Sequence, residues 1–206
     1  MALVVLTGKH NNADGSTTSN LRGGREGGLV VTPAGAPFAQ NSRDGRTFMA
    51  SMQAGASIGT ALTATASTCT LYNPAGSGVI ISLLHVGVGI TTAPASSSVA
   101  TLVASYHGNT LPITNTDLTI RSARIGRNAT GGNSRVKAYS ATTLPATPVV
   151  LRVIGSIQAT GGTESTNLCD NVNGAITIEE GGNITLQCIG GAVSGIVSMT
   201  WEEVES

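Results

Sequence analysis

The chain has 206 residues, with eleven basic and eleven acidic side chains, so its formal net charge is zero and charged residues make up only 11%. Soluble domains usually carry about 25%, and the place of the missing charge is taken by Gly, Ala, Ser and Thr. A neutral, sparsely charged surface promotes association, and the scarcity of Glu, Lys and Gln beside recurring Val, Ile and Thr favours strands over helices.

Taken in chain order, residues 1–56 read as an extended N-terminal arm. MALVVLTGKH has no basic leader before its apolar run and is followed by polar sequence, so it does not read as a secretory signal. HNNADGSTTSN (His10 to Asn20) has no apolar periodicity. LRGGREGG, the Leu29–Val31 patch, Phe38 and NSRDGRTF follow. Such sequence does not bury enough apolar area to order itself alone, and it reads as a strap that becomes ordered on a partner surface.

Residues 57–206 read as one β domain. STCTLYN (Ser67 to Asn73), the turn PAGSG and the run from Val79 onward form a predicted β-hairpin. Both faces of Val79 to Leu84 are apolar apart from Ser82, as in a strand covered on both sides or shared with a neighbouring subunit. Further strands are predicted at Ser96 to His107, Thr116 to Ile125, Ser134 to Leu144 and Thr147 to Thr160. In the last, Val149, Leu151, Val153 and Ile157 fall on one face by period two, opposite Arg152 and Ser156. Ile176 and Ile178, then Ile184, Leu186 and Cys188, repeat the alternation around a Glu-Gly-Gly-Asn turn. Val197, Met199 and Trp201 alternate with Ser198, Thr200 and Glu202 in the closing strand, which makes Trp201 the expected core anchor. Roughly eight short strands with close-spaced turns predict an all-β, antiparallel β-sandwich of jelly-roll type.

No catalytic, cofactor or metal site is legible. His10, His85 and His107 lack ligand spacing, and no HExxH, GxSxG or P-loop pattern occurs. Cys69, Cys169 and Cys188 form no CxxC pair, and each reads as a small buried hydrophobe in a reducing compartment. The longest apolar stretch, Val79 to Ile90, falls short of the roughly 20 residues of a membrane span. Arg121, Arg124, Arg127, Arg135 and Lys137 form a basic block, and from Glu164 onward every charge is negative. Complementary blocks suit register between or within subunits. Five cations in a neutral chain argue against a nucleic-acid surface.

The segment FMASMQAGASIGTALTATASTCTLYNPAGSGVIISLLHV resembles a family of tailed-bacteriophage structural proteins. There a Phe-x-Ala-Ser stretch leads through small residues to an Asn-Pro-Ala-Gly-Ser-Gly turn and an apolar strand. The closing VSMTWEEV is similar to that family's last strand, and LRGGREGGLVV looks like its pre-domain segment; EEGGN at Glu179 to Asn183 departs from the Pro-Gly turn of the family. The resemblance implies a non-enzymatic virion protein assembled in the host cytoplasm. Its implied partners are the phage major capsid protein and copies of itself, as a homotrimer first and a dimer otherwise. A capsid cement or decoration role is expected first, and a fibre, spike or baseplate role in attachment or glycan recognition second. On that reading Leu21, Arg22, Arg25, Leu29, Val30, Phe38, Arg43, Arg46 and Phe48 carry capsid contacts, and Val79, Ile81 and Leu83 form the oligomer interface.

Overall fold

The computed structural model describes residues 38–65, 68–105, 115–126, 133–159 and 167–206. The chain divides into two units, residues 1–37 and 38–206, and every described residue belongs to the second. A short helix, α1 (Ala39–Arg43), precedes twelve strands: β1 (Thr47–Ser51), β2 (Ala56–Ser57), β3 (Thr70–Tyr72), β4 (Val79–Thr92), β5 (Ser98–Ala104), β6 (Asn115–Asp117), β7 (Ile120–Ser122), β8 (Lys137–Thr142), β9 (Val149–Ile157), β10 (Asn167–Ile178), β11 (Asn183–Gly190) and β12 (Ser194–Glu205). They form two six-stranded antiparallel sheets packed face to face. One runs β10-β4-β12-β1-β7, with β2 also on β12; the other runs β6-β8-β3-β11-β5-β9. The all-β antiparallel sandwich is therefore as the sequence predicts.

The core follows from period two. Along β12, Val197, Met199 and Trp201 are buried while Ser198 and Thr200 between them are less so. Phe48 of β1 sits opposite Trp201 in register, and the two rings stack with centroids 6.3 Å apart. From the facing sheet come Leu71, Ala100, Leu102, Ile184, Leu186 and Cys188. Stripping an aromatic side chain from such a site costs about 3–5 kcal/mol.

No two strands consecutive in the chain pair with each other among the described residues. The predicted hairpin around PAGSG is thus corrected: β3 lies in one sheet and β4 in the other, so the turn carries the chain across the sandwich. The Glu-Gly-Gly-Asn turn between β10 and β11 does the same. These two crossings are fastened together. Asn73 is buried, and its Nδ2 donates to the carbonyls of Val79 at 2.7 Å and Ile178 at 3.0 Å while its Oδ1 accepts from Ser77 Oγ at 2.6 Å. Glu180 reaches back to accept from the backbone N–H groups of Gly76 at 2.8 Å and Gly78 at 2.7 Å. Both glycines have positive φ, +78° and +68°, a conformation that side-chain-bearing residues rarely adopt.

The outer face of the β3-β11-β5 region is polar yet buried. Thr70 Oγ1 donates to Thr185 Oγ1, Thr101 Oγ1 donates to the Gln187 carbonyl, and the Gln187 amide exchanges two hydrogen bonds with the backbone of Thr63. The stretch after β2 therefore lies over this face, and its polar groups are satisfied as burial demands.

Of residues 1–56, expected to be an arm, the stretch from Phe38 onward belongs to the folded domain. Thr47–Ser51 is an interior strand between β12 and β7, and α1 belongs to the same folded unit.

Candidate interaction surfaces

The two sheets end on one side in β9 and β10, which are not hydrogen-bonded to each other. Arg152 of β9 crosses to Asp170 of β10, with Nε 2.6 Å from Oδ2 and Nη2 3.0 Å from Oδ1. A two-point guanidinium–carboxylate contact fixes orientation as well as charge, so it pins the two edges where the core would otherwise open. A cleft of about 510 Å³ is lined by Ala104, Leu151, Ile176, Ile178, Asn183 and Ile184 among others, and Leu151 directly precedes Arg152.

β9 departs from the half-buried strand that its alternation predicts. Two irregularities interrupt its register with β5, between Ala100 and Thr101 and between Leu102 and Val103. Only Ile157 of the predicted inward set is buried; Val149, Val150, Leu151 and Val153 are 50%, 41%, 37% and 59% exposed. These are four of the seven large apolar residues exposed on the described surface, and all four lie on this one strand. Natural edge strands are commonly guarded by lysine, proline or inward charge; here the one charge, Arg152, is already engaged by Asp170.

A second surface gathers arginines. Arg121 on β7 lies opposite Met49 of β1, Arg124 Nη1 donates to the carbonyl of Arg43 at 3.2 Å, and Arg46 immediately precedes β1. All four of these arginines are exposed. Of the rest of the basic block, Arg135 donates its N–H to Glu203 Oε2 at 3.0 Å, and the Glu203 N–H donates to the carbonyl of Arg46; Lys137 begins β8, and Arg127 lies outside the described residues.

The sequence-derived site residues divide accordingly. Leu21, Arg22, Arg25, Leu29 and Val30 lie outside the described residues. Phe38 is half-buried in positive φ at 64°, accepting from Ser42 N–H at the start of α1. Arg43 and Arg46 are exposed. Phe48 is 3% exposed and stacked on Trp201, so it is corrected from a contact residue to core. Val79, Ile81 and Leu83 are corrected likewise: at 3%, 0% and 0% exposed they face their own core and offer nothing to a neighbouring subunit. Trp201 is fully buried, its Nε1 donating to Glu203 Oε1 at 3.3 Å. The apolar edge of β9 escaped sequence reasoning because period two placed its valines inside.

Among the described residues no group of three His, Cys, Asp or Glu side chains stands close enough to hold a metal ion. Cys69 and Cys188 are buried as expected, and burial lifts their thiols to about 12 and about 11; Cys169 on β10 is corrected from a buried hydrophobe to an exposed thiol. No family model, curated protein or solved structure matches the chain. The class that its own fold defines is an antiparallel β-sandwich.

Proposed function

We propose that this chain is a bacteriophage virion structural protein, a cement or decoration protein that binds the head shell and copies of itself and catalyses no reaction. The observation that supports the reading best is the uncovered apolar edge of β9 on a molecule of zero net charge. Completing the burial of a valine or leucine side chain is worth a fraction of about 1.5–3 kcal/mol, so the exposed apolar side chains of this edge give a contact with a usable driving force. The arginine corner at Arg43, Arg46, Arg121 and Arg124 supplies a second contact, suited to acidic shell surface and to setting orientation. On this reading the N-terminal strap adds further weak contacts, and contacts engaged together multiply into avidity. The likeness of NPAGSG and WEEV to tailed-phage structural proteins points to the virion as the assembly concerned.

The test is reconstitution. Purified protein is added to heads lacking it, and shell survival on heating is measured. Rebinding with a raised disruption temperature is the expected result. It is expected to be lost when Arg43, Arg121 and Arg124 are changed together to Glu, with circular dichroism confirming an intact fold. Binding of the isolated protein to host-cell glycans, with no effect on shell survival, would replace this reading with the fibre or spike role.

A further inference from the structure

Among the described residues β9 is paired on one side only, and its two bulges decide what a strand laid along the other side would meet. Residues opposite one another in an antiparallel pair share a face of the sheet. Val150 stands opposite Val103 and Val153 opposite Thr101. Thr101 and Val103 are two apart on β5, so they share a face. Val150 and Val153 therefore project on the same face, although three residues apart in an unbroken strand would put them on opposite faces. Arg152, opposite Leu102, projects to the other face, toward the sandwich interior and Asp170.

This pattern matches itself under one rotation. A second β9 running antiparallel, with the two-fold axis between Leu151 and Arg152, sets Val150 against Val153 of the partner subunit, and does so twice. Four exposed valine side chains then cover one another on one face. On the other, Leu151 meets Arg152 of the partner subunit, whose charge is already met by an aspartate. Neighbouring axes fail. An axis through Leu151 opposes Val149 to Val153 of the partner subunit, and these two project to different faces, since Val149 lies opposite Ala104. An axis through Arg152 sets two guanidinium side chains directly opposite, and like charges so placed repel. Self-complementarity of one patch is what a two-fold contact requires, and zero net charge leaves no overall repulsion between copies.

We infer that β9 is the two-fold seam of a homodimer, joining the β6-to-β9 sheets of two copies edge to edge in the register that pairs Val150 with Val153. The inference rests on the reading of the chain as an assembly protein and adds the partner and the register.

The test uses the full-length chain carrying Cys169→Ser, since Cys169 is exposed whereas Cys69 and Cys188 are buried. Val150→Cys and Val153→Cys proteins are purified separately, then oxidised mildly alone and after mixing. The mixture is expected to shift to twice the chain mass on a non-reducing gel, and each protein alone to stay at the single mass. Sedimentation of the unmodified chain is expected to give a dimer, and Val153→Lys to halve its mass. No cross-link in the mixture, equal cross-linking in all three samples, or an unmodified chain that sediments as monomer or as trimer would overturn the seam. A chain that fails these but still rebinds and stabilises heads keeps the proposed function and loses only the seam. A chain that passes them but never binds heads does the reverse.

Discussion

Asn73 shows how much of this fold hangs on single polar side chains. It is fully buried, and its amide satisfies two backbone carbonyls, one on the strand it leads into and one at the end of β10. Its own N–H and carbonyl pair with Gly182 and Gly181. Asn73→Ala removes the amide and leaves those carbonyls without their donor in a site closed to water. The expected loss is about 1–3 kcal/mol, read as a lower urea midpoint at unchanged slope; an unchanged midpoint would show that water reaches the site. The sequence marks Asn73 as a turn residue, as its place before Pro74 suggests, and it marks Trp201 as core. Phe48 is not legible in the same way. It is a lone aromatic in a polar stretch, and what buries it is Trp201 at the far end of the chain. A residue whose burial depends on one distant partner leaves no local signal.

At the scale of elements, the two sheet crossings act as one clasp, and its charge makes it sensitive to pH. The Gly76 and Gly78 amides bond the ionised form of Glu180 and hold its carboxyl below the ordinary glutamate value. The unfolded chain, lacking those bonds, takes up the proton first as pH falls. The clasp's contribution is therefore fully present above the ordinary glutamate range and is lost as pH drops through the lowered value. Wild-type protein is expected to be more stable than Glu180→Gln at neutral pH, with the gap closing in acid. The Gly76 and Gly78 amide resonances should titrate with a midpoint below that of an exposed glutamate; a midpoint at the ordinary value would show that the clasp is open in solution. Elements themselves were largely legible. Alternation located β12 and β11, because each has one face on the core. It misjudged β9, since a bulge advances the chain by one residue and turns the next side chains over. It also could not tell a hairpin from a crossing, because turn residues specify that the chain reverses and are silent on whether its two arms bond to each other.

Among the described residues every strand pairing joins elements that are not consecutive in the chain. β12 forms the middle of its sheet, bonded to β4 along its length and to β1 and β2 on its other side, so the last strand in the chain order joins the first. Loop closure must be accomplished before any such pairing stabilises the chain, and proteins dominated by non-local contacts fold in milliseconds to seconds where helical bundles need microseconds to milliseconds. The single tryptophan, buried at the centre of that sheet, reports the event directly. Refolding followed by its fluorescence is expected in the slow range, about milliseconds to seconds. A chain ending before Ser194 is expected to show no cooperative urea transition by circular dichroism, since β4 and β1 lose the strand between them. Microsecond refolding, or a cooperative transition in the shortened chain, would mean that local structure carries the fold. The expected order has a consequence for assembly. β9 pairs with β5 in the other sheet, so its apolar outer edge stays available while β12 is still being placed, and intermediates that expose unpaired edges aggregate as concentration rises. Refolding yield should therefore fall with protein concentration in the unmodified chain and hold in Val153→Lys, which puts a charge on that edge without touching the core.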